Sequence, residues 1–353
     1  MISVPRGRRA LALGCLGAAA FAVAAGAHVW AHHIEIHRYT LRRATVPVLP
    51  AGSSPVCLLH ISDIHLMPEN DRKLAFLRSL AELEADVVVD TGDNISSPQS
   101  LGPLIEAIRP LLRIPGAFVM GSNDLFAPVR KNPARYLLPD ARTAGFSAPD
   151  RPVDMPVQEL RTRLAEHGWR DLTNRRDASR AGDLVIEWVG VDDPHLERDR
   201  MPAPDGTRAA AEESGAGAAA ELRAEGAAES TAQATAESRP QATAESTAQA
   251  QQARPALRIG VAHAPYRRVL DALVDDGCDL ILAGHTHGGQ LCLPGIGALV
   301  TNCDLPRSQA KGLSAWRGVP LHVSGGLGAS PFSDMRLANP PEATLLTLLP
   351  RPA

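Results

Sequence analysis

Five short apolar, largely β-branched runs in this chain each deliver a potential metal ligand at the same end. Val56 to Ile61 leads into Ser62-Asp63-Ile64-His65, and Asp86 to Thr91 into Gly92-Asp93-Asn94. Ala117 to Gly121 leads into Ser122-Asn123-Asp124, and Leu257 to Ala262 into His263-Ala264-Pro265. Leu280 to Ala283 leads into Gly284-His285-Thr286-His287-Gly288-Gly289. Each piece alone has an ordinary explanation: a turn acid, a turn glycine, a helix N-cap cluster. Together they place carboxylate, amide and imidazole groups at strand C-termini, where open α/β sheets build their sites.

The donor set is oxygen and imidazole nitrogen without thiolate, which suits Mn, Fe, Zn or a similar divalent ion. Asp63, His65, Asp93, Asn123, His263, His285 and His287 exceed the needs of one ion. A bridging carboxylate shared by two ions about 3.5–4 Å apart would give each three or four protein ligands and leave room for water.

Two further runs, Leu184 to Val191 and Pro320 to Val323, complete the strand pattern. Between the runs, apolar residues recur at three- and four-residue spacing. Leu74, Leu77, Leu80, Ala81 and Leu83 predict a helix over Arg72 to Leu83, and a second is predicted at Leu101 to Leu112. Leu160 and Leu164 mark a third, stopped by Gly168; Val269, Leu270, Leu273 and Val274 mark a fourth, stopped by Gly277. Strands alternating with helices predict an α/β layered domain over residues 41–350, entered through a connector that ends in the Pro47 to Pro55 loop.

Residues 203–253 break this rhythm with Ala, Glu, Gln, Ser and Thr, and QATAES begins at both Gln233 and Gln241. Such a segment buries too little apolar area to offset about 1–2 kcal/mol of backbone entropy per residue, so it reads as a disordered insertion within the domain.

The N-terminus, residues 1–40, has a different character. Arg6, Arg8 and Arg9 precede a stretch from Ala10 to Ile34 without Asp, Glu, Lys or Arg, and Leu11 to Ala31 has the length of a membrane-spanning helix. The basic leading edge favours a single-pass anchor in the cell membrane with the main domain outside, although Arg38, Arg42 and Arg43 on the far side blunt that asymmetry. A cleaved signal peptide and a twin-arginine export signal are the competing readings. His28, His32, His33 and His37 fall at this boundary, where interfacial solvation explains them.

A formal net charge of -3 gives no reason to expect nucleic acid as a partner. Five cysteines without a Cys-x-x-Cys pair argue against a structural zinc module. Cys292 and Cys303 flank a Pro/Gly-rich loop and could pair in an oxidising compartment.

The ordered series Asp63-x-His65, Gly92-Asp93, Asn123, His263 and Gly284-His285-x-His287 resembles that of the calcineurin-like metallophosphoesterases, over roughly residues 56–330. The apolar N-terminus is similar to that of membrane-associated bacterial members. The resemblance implies a four-layer α/β/β/α sandwich and two divalent ions. Asp63, His65 and His287 would hold one; Asn123, His263 and His285 the other; Asp93 would bridge them. It further implies hydrolysis of a phosphate mono- or diester by metal-activated water, with a membrane tether favouring lipid-linked or envelope substrates.

One block departs from the family pattern of Gly-Asn-His followed by an acid. Here Asp124 follows Asn123, and Asp124 is expected either to serve as general acid in place of the histidine or to orient one. The alternative to an enzyme is a membrane scaffold that keeps the metals without turnover. Asp192-Asp193-Pro194-His195 is a further candidate for the substrate side, whereas Arg336 reads as a solvated surface arginine.

Overall fold

The computed structural model describes residues 18–19, 21–128, 155–203, 256–329 and 333–352. Residues 21–29 form helix α1, which widens into a π-helical turn at Trp30–Ile34. Among the described residues no helix is long and apolar enough to cross a membrane. Residues 1–17, including part of the predicted span, lie outside the described residues, as does nearly all of the predicted insertion.

The chain enters its first sheet earlier than its pattern suggests. Thr40–Leu49, expected as a connector, is a ten-residue strand, β1. Strands β2 (Val56–Ile61), β3 (Val87–Asp90), β4 (Gly116–Phe118) and β5 (Arg170–Asp171) follow. Then come β6 (Arg175–Ala181), β7 (Leu184–Gly190), β8 (Ala256–Ala262) and β9 (Leu280–Ala283). The hairpin β10 (Cys292–Leu293) and β11 (Gly297–Ala298) precedes β12 (Gly312–Trp316), β13 (Val319–Val323) and β14 (Glu342–Pro350).

Helices α2 (Asp71–Ser79), α3 (Leu101–Ile108), α4 (Ser122–Leu125), α5 (Val157–Glu166) and α6 (Arg267–Asp275) lie between these strands. The predicted first and second helices are each shorter than their apolar pattern, finishing in 3-10 turns at Leu80–Leu83 and Leu111–Arg113.

One sheet has the order β1-β14-β2-β3-β4-β5 and the other β12-β13-β9-β8-β7-β6. Strand alternation sorts the apolar residues into three layers. Leu58, Val87 and Val89 of one sheet and Trp188, Ile259, Leu280 and Leu282 of the other form a buried layer that includes no helix residue, so it lies between the sheets. Their neighbours Leu59, Ile61 and Val88 pack on α2, α3 and α5. Ile281, Leu321 and Val323 pack on α6 through Val269, Leu270 and Leu273. Burial stabilises each large apolar side chain by roughly 1.5–3 kcal/mol. The result is helix on sheet on sheet on helix.

β7 and β8 are parallel neighbours, so residues 204–255 connect adjacent strands of one sheet. β6 forms the sheet edge with Arg175, Arg176 and Arg180, charges that discourage edge-to-edge pairing. Cys57, Cys278 and Cys292 are free thiols. Cys292 is not paired with Cys303, the bridge its position would allow in an oxidising compartment, and points its thiol at the carbonyl of Gly288, 3.2 Å away.

The layer between the sheets is not wholly apolar. His60 of β2 and His322 of β13 meet there through their Nδ1 atoms at 2.8 Å, both fully buried. Burial holds His60 well below its usual range and His322 down at about 4. The folded protein therefore refuses protons that the unfolded chain accepts below about pH 6.5. The contribution of this pair is complete above that pH and declines as the pH falls. Urea unfolding at about pH 7.5 and 5 should show a lower midpoint in acid, and His60→Leu with His322→Leu should flatten that difference. An unchanged slope in the double variant would place the acid sensitivity elsewhere.

Candidate metal centre

Seven of the eight predicted site residues converge on the edge where β2, β3, β8 and β9 end. Asp63, His65 and His287 bring one ligand atom each within 4.8 Å of one another, as do Asp63, Asp93 and His263. Asp93 Oδ2 stands between the groups, 3.4 Å from His65 Nε2 and 3.6 Å from His263 Nε2. Asp63 Oδ1 lies 3.6 Å from His287 Nε2.

The backbone meets these positions at a cost. Asp63, His65, Asp93, His285 and His287 all have left-handed φ values, of 48°, 43°, 58°, 68° and 51°. Such conformations are uncommon outside glycine and persist only where the surroundings over-determine them. The glycines of these loops admit the close approach. A Cβ on Gly284 would strike the Ser62 hydroxyl and the Asp63 carboxylate, and one on Gly121 the carboxylate of Asp93.

Each imidazole is fixed by a bond on its outer nitrogen. His263 Nδ1 donates to the carbonyl of Thr91 at 2.7 Å, and His285 Nε2 to that of Asn302 at 3.2 Å. His287 Nδ1 is 3.2 Å from the carbonyl of Gly328, with an Arg336 nitrogen farther off at 3.4 Å, so the carbonyl takes the Nδ1 proton. His65 Nδ1 meets Ser96 Oγ at 3.1 Å. The inner nitrogens face each other, His65 Nε2 and His287 Nε2 at 3.2 Å, His263 Nε2 and His285 Nδ1 at 3.3 Å, and the carbonyl contacts leave those of His285 and His287 as lone pairs. Opposed lone pairs at this distance repel unless a cation or proton intervenes, so these donors fit divalent ions.

Without an ion, protons and charges take up the strain. Burial raises the Asp63 carboxyl to about 6, against the pull of His263. Burial acts the same way on Asp93, but His263, His65 and two hydrogen bonds from Asn123 outweigh it and hold its carboxyl far below the usual range. Burial disfavours charge on His263, yet Asp93, Asp193 and Asp63 push it up to about 9. His65 drops to about 4 through burial, only partly opposed by Asp93. His285 and His287 fall well below 6.5 through burial and then through neighbouring cationic groups.

Asn123 touches the site through Asp93, donating its backbone N–H to Oδ1 at 2.8 Å and its side-chain amide to Oδ2 at 2.7 Å. Asp124 lies behind the Asp93 loop. Its Oδ1 accepts from the backbone N–H groups of Asn94 and Ile95 at 2.7 and 3.3 Å, and its Oδ2 from those of Asp93 and Gly121 at 2.8 and 3.1 Å. Fully buried and bonded to four amides, it ties the Asp93 loop to the start of α4, and burial raises its carboxyl to about 7.

Several contributors were not legible as site residues. His60 Nε2 reaches Thr91 Oγ1 at 3.0 Å, Thr91 donates to Ser62 Oγ at 2.7 Å, and Ser62 donates to Asp63 Oδ2 at 2.5 Å. The carboxylate at the end fixes every proton: His322 donates to His60, His60 to Thr91, and so on to Asp63. Lys73 is buried on α2, and its ammonium donates to the carbonyls of Ile64 and His65. Arg336, expected on the surface, is fully buried and donates to the carbonyls of Gly326, Gly328 and Asn339. Its guanidinium holds the turn behind His287; a lone arginine after a glycine turn carries no burial signal in sequence. His195 does reach the rim, its ring 4.5 Å from that of His285 and its Nδ1 2.9 Å from the Tyr266 hydroxyl. Asp192 turns away to pair with Arg198.

The sequence profile of the calcineurin-like phosphoesterases matches residues 58–193. Over 92 residues, 26% of this chain, the sequence is 35% identical to phosphodiesterase YaeI of Escherichia coli strain K12. The match spans 32% of that relative's length. Among solved structures, TT1561 of Thermus thermophilus is 13% identical with a TM-score of 0.36, covering 78% of this chain and 91% of its own. The phosphopantetheinyl hydrolase PptH of Mycobacterium tuberculosis is 15% identical with a TM-score of 0.34, covering 83% and 97%. Purple acid phosphatase PPD1 from yellow lupin is 12% identical with a TM-score of 0.37, covering 82% and 46%. The profile match and a ligand series that runs in order through the strand ends described above make residues 58–193 of this chain similar to the calcineurin-like phosphoesterases.

Proposed function

We propose that the chain is a membrane-tethered, metal-dependent hydrolase of phosphate esters, with Asp63, His65 and His287 holding one divalent ion, Asn123, His263 and His285 a second, and Asp93 bridging. The observation that carries this reading is the pairing of four inward-facing imidazole nitrogens around two buried carboxylates, with each ring held from behind. Bound divalent ions would supply Lewis acidity toward a phosphoryl oxygen and lower the pKa of water in the site. The chain's own part is orientation. Asp124 sets the Asp93 loop, Thr91 and Ser62 set Asp63, and His195 stands on the rim beside His285.

The tether reading rests on the run from Ala10 to Ile34 without Asp, Glu, Lys or Arg, and on the exposure of Phe21, Val23 and Val29 in its described part. With Arg6, Arg8 and Arg9 held inside, the domain faces the extracytoplasmic side, which favours lipid-linked or envelope phosphate esters.

A second reading concerns the third block. Asp124 stands at the third position of α4, where its carboxyl accepts from the Gly121 backbone N–H at the helix start. That is the place of the acid after Gly-Asn-His, which would put Ser122 and Asn123 where the family carries Asn and His. Asn123→His separates the two. If Asn123 is a metal ligand, the substitution weakens metal binding about 10–100-fold; if it stands at the histidine position, hydrolysis of poor-leaving-group esters rises about 10²-fold.

The first experiment is metal content and metal-dependent hydrolysis of aryl phosphate mono- and diesters by the full chain in detergent. Turnover restored by Mn, Fe or Zn to a chelated sample supports the enzyme. Metal binding without turnover of either ester favours the scaffold, and no metal binding overturns the ligand assignment.

A further inference from the structure

Two apolar features meet beside the candidate metal centre, on a segment that serves both. Residues 333–339 are gripped from one side by the end of the N-terminal helical run. Arg336 N donates to the carbonyl of Ala31 at 3.1 Å, and the buried Glu35 carboxylate accepts from Ala338 N at 3.0 Å and Asn339 N at 2.6 Å. On the other side Leu337 N donates to Gln290 O at 3.2 Å, and Cys292 N to Leu337 O at 2.9 Å, where the hairpin β10–β11 begins. The same segment reaches the site itself, because Asn339 Nδ2 donates to the carbonyl of His287 at 2.6 Å.

Both features expose large apolar groups. Trp30 and Ile34 are 41% and 43% exposed at the helix end, and Leu293 and Ile296 are 40% and 69% exposed at the hairpin tip. No Asp, Glu, Lys or Arg occurs between His287 and Asp304. Trp30 satisfies its indole N–H within the protein, donating to Glu35 at 2.7 Å, while the Arg38 guanidinium lies 5.7 Å from its ring centre. A bare indole face with its polar end occupied and an arginine beside it is the composition favoured at a bilayer interface.

We propose that the β10–β11 hairpin is a second membrane contact, dipping Leu293 and Ile296 into an anionic bilayer surface beside the helix end, so that the metal centre opens onto the headgroup layer. The substrate class is then a phosphate ester carried in that layer. The occupant is a bilayer and not another protein because the helical side of the face follows the uncharged run from Ala10 to Ile34 in sequence, with Arg38 and Arg43 after it. Cationic side chains next to a shallow apolar insertion add attraction to anionic headgroups. The proposal rests on the tether reading above, and the hairpin is where the two can be told apart.

The test uses the full chain with vesicles of phosphatidylcholine containing about a quarter phosphatidylglycerol. Flotation with the vesicles reads the tether. Quenching of an Ile296→Trp chain by brominated lipid, in excess of the parent chain, reads the hairpin. The expected result is flotation of both chains and additional quenching in the variant. Leu293→Ser with Ile296→Ser should lower hydrolysis of a vesicle-borne phosphate ester about 10–100-fold while sparing a soluble aryl phosphate. Flotation without additional quenching overturns the hairpin contact and leaves the tether standing. Failure to float overturns both. A blue shift of the Ile296→Trp emission with protein concentration, in the absence of lipid, would assign the face to self-association and overturn the proposal.

Discussion

An Asp93→Ala chain is expected to lose stoichiometric metal binding and to hydrolyse aryl phosphates about 10³-fold more slowly than the parent, corresponding to about 4 kcal/mol of transition-state stabilisation. Asp93 Oδ2 lies within 3.6 Å of ring nitrogens from both halves of the site, beside Asp63, which belongs to both ligand groups. Removing it breaks both halves at once. Asp93→Asn keeps the shape and the contacts from Asn123 but not the charge, so it should resemble the alanine variant in metal content and the parent in fold. Metal titration by calorimetry, with thermal melting as a control on folding, checks this. Metal binding undiminished in both variants would remove Asp93 from the site.

The same substitution has a pH signature in the metal-free protein. His263 is pushed up to about 9, so its interaction with Asp93 contributes fully below about pH 6.5 and is lost as pH rises through about 9. Asp93 is depressed, so its share is present above about pH 4 and lost as pH falls further. The stability difference between metal-free parent and Asp93→Ala should therefore be largest between those limits and shrink on either side.

Lys73→Met is expected to separate stability from function. The Lys73 ammonium is buried against carbonyl oxygens, without a carboxylate in hydrogen-bond contact, and burial, aided by Arg336, lowers it to about 7. Charge held in such a place works against folding at neutral pH, and stability gains as pH climbs from about 7 toward 10.5. Methionine relieves that while leaving the Ile64 and His65 carbonyls without a donor, a loss of about 1–3 kcal/mol that opposes the gain. The net change in metal-free melting should thus be small. What suffers is the loop from Asp63 to His65, whose left-handed residues lose the group that pins their carbonyls. Metal affinity should fall about 10–100-fold, the usual consequence of removing a support behind a ligand. Melting curves with and without added Mn report both quantities: an unchanged metal-free midpoint with a smaller metal-induced rise is the expected pattern. A metal-induced rise equal to the parent's would make Lys73 an incidental buried cation.

How far the sequence reached depended on whether the signal was local. β2 and β9 match their apolar runs residue for residue, and α6 ends where Gly277 predicted, because periodicity and a stop signal are written into consecutive residues. β1 was missed because its partner is β14, aligned from Thr40 opposite Glu342 at the far end of the chain. β6 was missed because an edge strand carries arginines where a buried one carries valine. Arg336 and Lys73 were misjudged or overlooked because a long basic side chain looks the same in sequence whether water or a ring of carbonyls receives it.

By itself the sequence determined the alternation of strands and helices and the kinds of donor atom that leave the strand ends, since both follow from residue type and spacing. Which nitrogen of each histidine faces inward, and that Asp124 is enclosed by four backbone amides, were decided only by the tertiary structure. Those outcomes depend on backbone carbonyls and amides contributed by remote segments such as Thr91, Asn302 and Gly328, and hydrogen-bond partners of that kind leave no mark in side-chain identity.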